Sequence, residues 1–308
     1  MRQRNRATDE GVTSRFGTIF RPNPRADAYL PGSSTIYGQF WMGQSLWRPS
    51  ALWAAIAGLI AGGLFRQLDT IHWQELALLC LLVDMLWGAI WRLSGGREQL
   101  LPLRSQPGSV QARLPYLQPD SPAAQLTRWN TTDVWPWLLR VGLPTVVVTL
   151  LVSATMGEMA MLLTGLLILI TAAGWAMRRN FSQPPAFWQA LATISLPWLL
   201  AIWRHGITPQ DGLWSVHLTL LALWTIHHWA EGRAICFEND WLGIVLFAVA
   251  DGGLLFLMAA QQLPLWVAIL ALLMLPTWYA IIRRQPSHRN AFWWWLTLLL
   301  SAVAISQV

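Results

Sequence analysis

Nine stretches of this 308-residue chain are long apolar runs, at 50–66, 73–93, 135–155, 158–177, 185–203, 213–230, 241–261, 263–282 and 291–307. A helix rises about 1.5 Å per residue, so roughly 20 such residues cross a hydrocarbon layer about 30 Å thick. With 55% of its residues hydrophobic and 12% charged, the chain reads as an all-α, polytopic integral membrane protein of nine transmembrane helices. Residues 1–48 form a polar, Arg-rich lead-in in which Phe40, Trp41, Leu46 and Trp47 fit one side of a short interfacial helix. Residues 49–308 form the membrane domain.

Arginine sets the expected orientation. With the N-terminus cytoplasmic and the C-terminus outside, eighteen arginines fall on the cytoplasmic side and two, Arg66 and Arg204, on the other, with Arg140 inside a span. Cytoplasmic loops carry such an excess, and the asymmetry would collapse if one internal helix were miscounted. Trp47, Trp73, Trp91, Trp135, Trp203, Trp241 and Trp266 fall near the expected interfaces, where amphipathic rings sit. Trp87 and Trp224 lie deeper and must pack inside the bundle or against a ligand. The opening MRQRNRATDEGVTSRF lacks the early apolar run of a cleaved signal peptide.

Composition excludes several chemistries. All 21 basic residues are arginine, a side chain that stays protonated and neither forms a Schiff base nor serves as a general base. These arginines are spread over separate loops rather than one stripe, which argues for topology and anionic lipid and against nucleic acid. Cys80 and Cys236 lack metal-ligand spacing and read as core thiols. The connection at 94–134, rich in Gly and Pro, reads as a cytoplasmic lid, a docking surface or a plain connector.

A charge near the bilayer centre costs about 2.5–3.5 kcal/mol on insertion scales, so intramembrane ionisable residues need a reason. Three stand out: Asp84, Asp251 and Arg140. An Asp84–Arg140 or Asp251–Arg140 pair is expected, either as a polar clamp between helices or as part of a proton or ligand site. His217, Leu221, Trp224, His228 and Glu231 recur at the spacing of one helical face. The two histidines are then about 16 Å apart by helical rise, too far to share a metal ion. Each either ligates its own chlorophyll-type or porphyrin-type macrocycle or hydrogen-bonds a quinone, a lipid carbonyl or a neighbouring helix. The stretch HHWAEGRAICFENDW, 227–241, reads as a short cytoplasmic connection bearing Glu231, Glu238 and Asp240.

Nine helices, an interfacial lead-in and cytoplasmic connections after the second and sixth spans resemble the UbiA superfamily of membrane prenyltransferases, which includes chlorophyll and bacteriochlorophyll synthases. The segment LWRPSALWAAIAGLIAGG, 46–63, is similar to that family's first helix, and Gly58 and Gly62 form a small-residue packing face. The resemblance implies a UbiA-like bundle that holds a prenyl diphosphate through Mg²⁺ on two Asp-rich motifs. At the first motif's position this chain reads WGAIWRLSGGRE, with Trp87, Trp91 and Arg92 where the family has Asn-Asp-x-x-Asp. At the second it offers Glu231, Glu238 and Asp240, acidic but differently spaced.

These departures lead to the expectation of a non-catalytic accessory subunit in a pigment- or quinone-containing complex, such as a photosynthetic one, in a bacterial inner membrane. A chlorophyll-type tetrapyrrole, a carotenoid or a quinone is its expected ligand, with His217, His228, Trp224, Asp84, Asp251 and Arg140 as ligand-site candidates. The alternative is a divergent prenyltransferase using Mg²⁺ on Glu231, Glu238 and Asp240, with Arg92, Arg97 and Arg233 binding the diphosphate. A transporter using Asp84 and Asp251 ranks third, since broken helices usually come in pairs and Gly252-Gly253 is a single candidate break.

Overall fold

The computed structural model describes residues 51–64, 73–95, 142–176, 186–204, 213–236, 241–282 and 288–308, and every regular element within them is helical. Helix α1 is Ala51–Ala61; α2, Trp73–Cys80, continues through a wider π-helical segment, Leu81–Leu86, into α3, Trp87–Gly95. Then come α4, Leu143–Met156, and α5, Glu158–Ala176. Helix α6, Ala186–Ala190, runs through a second π-helical segment, Leu191–Ser195, into α7, Leu196–Arg204. The series ends with α8, Trp214–Cys236, α9, Trp241–Ala260, α10, Pro264–Ile282, and α11, His288–Ile305.

If each π-interrupted pair counts as one rod, the described residues hold nine rods, one at each apolar run. Three, Trp73–Trp91, Ala186–Arg204 and Trp241–Ala260, are long and apolar enough to cross a membrane. Helix α8 is longer, at 23 residues, but His217, His227, His228, Glu231 and Arg233 dilute its apolar character. The outer surface is apolar: Phe256, Leu272 and Leu169 are 75%, 67% and 67% exposed. Such side chains facing outward along helices suit contact with lipid better than contact with water.

Two buried clusters divide the bundle, and α1 and the α6–α7 rod contribute to both. One gathers Ala54 and Ala57 of α1, Trp198 of α7, Trp224 of α8, Leu254 of α9, Leu270 of α10 and Trp294 of α11. The other gathers Leu59 of α1, Leu82 and Trp87, Met156 of α4, Leu163 of α5 and Leu200 of α7. Small residues make the shared wall thin enough to face both ways. A Cβ added at Gly58 would lie 2.9 Å from the Trp198 carbonyl oxygen and 3.0 Å from the Ala201 Cβ, so the small-residue face of α1 is realised here against α7.

Hydroxyl-bearing residues satisfy two of the buried indoles, Trp87 and Trp224. Trp87 Nε1 donates to Thr164 Oγ1 at 2.9 Å, and Thr164 Oγ1 lies 2.7 Å from Ser153 Oγ, joining α3, α5 and α4. At one end of the bundle Arg204 pairs with Glu75 at 2.6 Å and donates to the Met156 carbonyl at 3.2 Å. The first turn of α2 and the last turns of α4 and α7 thereby meet, as alternating up-and-down spans require.

Two expectations are corrected. The helix expected over 213–230 holds both histidines as its run predicts, but it does not stop there: α8 runs on to Cys236, so residues 231–236, read as part of a connection, are helical too. A polar stretch reads as a connection by composition, yet Glu231, Arg233 and Ala234 are good helix formers. Nor do Gly252 and Gly253 break α9, which is continuous from Trp241 to Ala260. A Cβ at Gly253 would stand 2.5 Å from Leu223 Cδ2, so this glycine admits the α8 side chain rather than unwinding the helix.

Candidate ligand site between helices α8 and α11

The longer α8 brings a residue into play that the one-face pattern passed over. His227, 4% exposed, projects toward α9, and its Nδ1 lies 2.8 Å from Asp251 Oδ1. The other carboxyl oxygen, Oδ2, accepts a hydrogen bond from Trp278 Nε1 of α10, also at 2.8 Å. An indole N–H can only donate. The arrangement that uses both carboxyl oxygens as acceptors has the His227 Nδ1–H donating, which in the neutral imidazole leaves the lone pair on Nε2. His227 Nε2 is buried and has no hydrogen-bond partner among the described residues.

Aromatic rings wall the imidazole. Phe247, Trp224 and Trp294 have ring centroids 4.9, 5.1 and 5.5 Å from that of His227. The His228 ring lies 5.4 Å from the same Trp294. Trp224, 1% exposed, is anchored by its Nε1 donating to Ser301 Oγ of α11 at 2.9 Å. Trp294 Nε1, a buried donor, has no partner among the described residues. The group lies about 14 Å along α8 from Cys236, since nine residues separate them at about 1.5 Å each, so the site is internal to the bundle.

The structure treats the sequence candidates unequally. Asp251 has His227 on one carboxyl oxygen and Trp278 on the other; Arg140, its expected partner, lies outside the described residues. His228 Nδ1 is 3.2 Å from Glu231 Oε2, an i,i+3 pair one turn toward the end of α8. The expected face of α8 is inward, with His217, Leu221, Trp224 and His228 all buried. His217 Nδ1 is buried without a hydrogen bond, so it is no interhelical clamp through that atom. Asp84 is buried in the π-helical segment Leu81–Leu86, whose Leu82 and Val83 belong to the other cluster. Arg233 is half-buried in the last turn of α8. Arg97, Glu238 and Asp240 lie outside the described residues, as do residues 1–48 and most of 94–134; Arg92 falls in α3, beyond the described side chains.

Chemically, the arrangement is an imidazole held in one tautomer by a carboxyl group and presenting a bare nitrogen to an apolar interior. Histidines that ligate metals or accept protons are commonly held this way, because the partner fixes both ring orientation and tautomer. Among the described residues no three His, Cys, Asp or Glu side chains converge on a point. A metal bound at Nε2 would have to bring most of its own ligands, as a macrocycle does. His227 was hidden in the sequence by its adjacency to His228, although a short connection between antiparallel helices pairs residues equidistant from it. Residues 227 and 251 are equidistant from residue 239, in that connection. Searched against protein-family models, curated proteins and solved structures, this chain finds no match.

Proposed function

We propose that the chain is a nine-span membrane subunit, N-terminus cytoplasmic and C-terminus outside, that holds a ring-bearing apolar ligand of tetrapyrrole, carotenoid or quinone type. In this reading it serves a larger complex in a bacterial inner membrane and performs no prenyl transfer itself. The buried, carboxyl-oriented His227 among Trp224, Phe247 and Trp294 carries the reading. Intramembrane ionisable groups are expensive and cluster where a membrane protein does its work, and this pair lies where aromatic faces would meet a planar ligand.

The prenyltransferase alternative requires carboxylates free to gather Mg²⁺, yet Glu231 is directed to His228, and Trp87 and Trp91 stand where the first Asp-rich motif would be. The test is gentle purification of the protein, an absorption spectrum and mass spectrometry of the extracted lipids. We expect one tetrapyrrole, carotenoid or quinone in roughly molar proportion to the protein. An extract holding only bulk phospholipid overturns the reading.

A further inference from the structure

Resting on that reading, we infer that His227 Nε2 and Trp294 Nε1 together take the hydroxyl group of a lipid-soluble quinol. The argument starts from two orphans of opposite kind. His227 Nε2 offers a lone pair and Trp294 Nε1 offers a proton; both are buried and unpartnered among the described residues, on rings 5.5 Å apart and tilted by 34°. Buried polar atoms are nearly always hydrogen-bonded, so a pair left bare in one place points to a group that completes it.

The three ligand types differ in what they can complete. A carotenoid hydrocarbon satisfies neither atom. A macrocycle metal takes the His227 lone pair but gives the Trp294 donor nothing. A hydroxyl does both: its proton goes to Nε2, and its oxygen accepts from the indole N–H. The aromatic ring carrying that hydroxyl gains contacts with the surrounding rings.

The α10 residue that holds Asp251, Trp278, is half-buried, and its neighbours Leu275 and Tyr279 are 59% and 61% exposed on the outer surface. Asp251 and Trp278 are positioning residues: they fix the His227 tautomer and touch no ligand.

The test is equilibrium binding of decylubiquinol to the full-length protein in lipid nanodiscs, beside the dimethyl ether of the same quinol, which keeps the ring and tail and lacks the O–H. The wild type is expected to bind the quinol about tenfold or more tightly than the ether, the scale of one hydrogen bond to a desolvated partner. His227→Phe keeps the aromatic packing and is expected to remove that preference. If this variant does not fold, Trp294→Phe is expected to weaken quinol and ether alike, about fivefold, because the oxygen of either accepts the indole N–H, while the preference for the quinol stays. Equal binding of quinol and ether by the wild type overturns the inference, because a water would then suffice for the two orphans. Failure of decylubiquinol to bind overturns it as well, and a tetrapyrrole co-purifying with the same preparation leaves the broader ligand-holding reading standing.

Discussion

Trp224→Ala is expected to cost about 3–5 kcal/mol of stability, the range for removing a large buried aromatic, and to empty the preparation of its co-purifying ligand. Trp224 is 1% exposed, meets Trp294 edge to face at 5.6 Å and forms one wall of His227. Its loss leaves a cavity that neighbouring rings fill only in part, and it removes the indole N–H that Ser301 Oγ accepts, leaving that hydroxyl its bond to the Leu298 carbonyl. Trp224→Phe narrows the loss: a six-membered ring stays to fill most of the space, while the hydrogen bond, worth about 0.6–2 kcal/mol between helices in a membrane, goes with the pyrrole part of the indole. Thermal unfolding in detergent, read together with ligand content, checks both variants. Similar losses for Phe and Ala would show that the bond to Ser301 outweighs the packing.

Gly58→Val is expected to destabilise by about 3 kcal/mol, the upper end for overpacking. The new Cβ would meet the Trp198 carbonyl oxygen at 2.9 Å, the Ala201 Cβ at 3.0 Å and Trp198 Cδ1 at 3.1 Å. A backbone oxygen cannot step aside as a side-chain terminus can, so α1 must move away from α7. Because α1 faces both buried clusters, the displacement disturbs both. Gly252→Ala, where an added Cβ meets nothing within 4 Å, is the matched control and is expected to be neutral or slightly stabilising, since alanine favours helix. The same unfolding measurement on the two variants decides it; an equal response would mean that α1 and α7 do not pack at Gly58.

Helix positions were readable because lipid-length apolar runs leave few alternatives, and each of the nine runs carries a helical rod among the described residues. The end of α8 at 231–236 was not, because Glu231 and Arg233 make it polar, and composition records polarity without recording helicity. The inward face of Trp224 and His228 followed from spacing along one helix. The His227–Asp251–Trp278 group did not, because it depends on how α8, α9 and α10 rotate against one another. Asp251 stands out in the sequence for its insertion cost, but the sequence does not name His227 and Trp278 as its partners, which satisfy the buried carboxyl group through hydrogen bonds.

The account turns on the claim that Asp251 holds His227 with its Nδ1 protonated and its Nε2 bare inside the membrane bundle. Nitrogen-15 NMR of histidine-labelled protein tests it directly, with the His227 signals among the six histidines identified by their disappearance in His227→Phe. The account predicts a protonated Nδ1 and an unprotonated Nε2, a pattern lost in Asp251→Ala. A His227 carrying its proton on Nε2, and indifferent to Asp251→Ala, would contradict it.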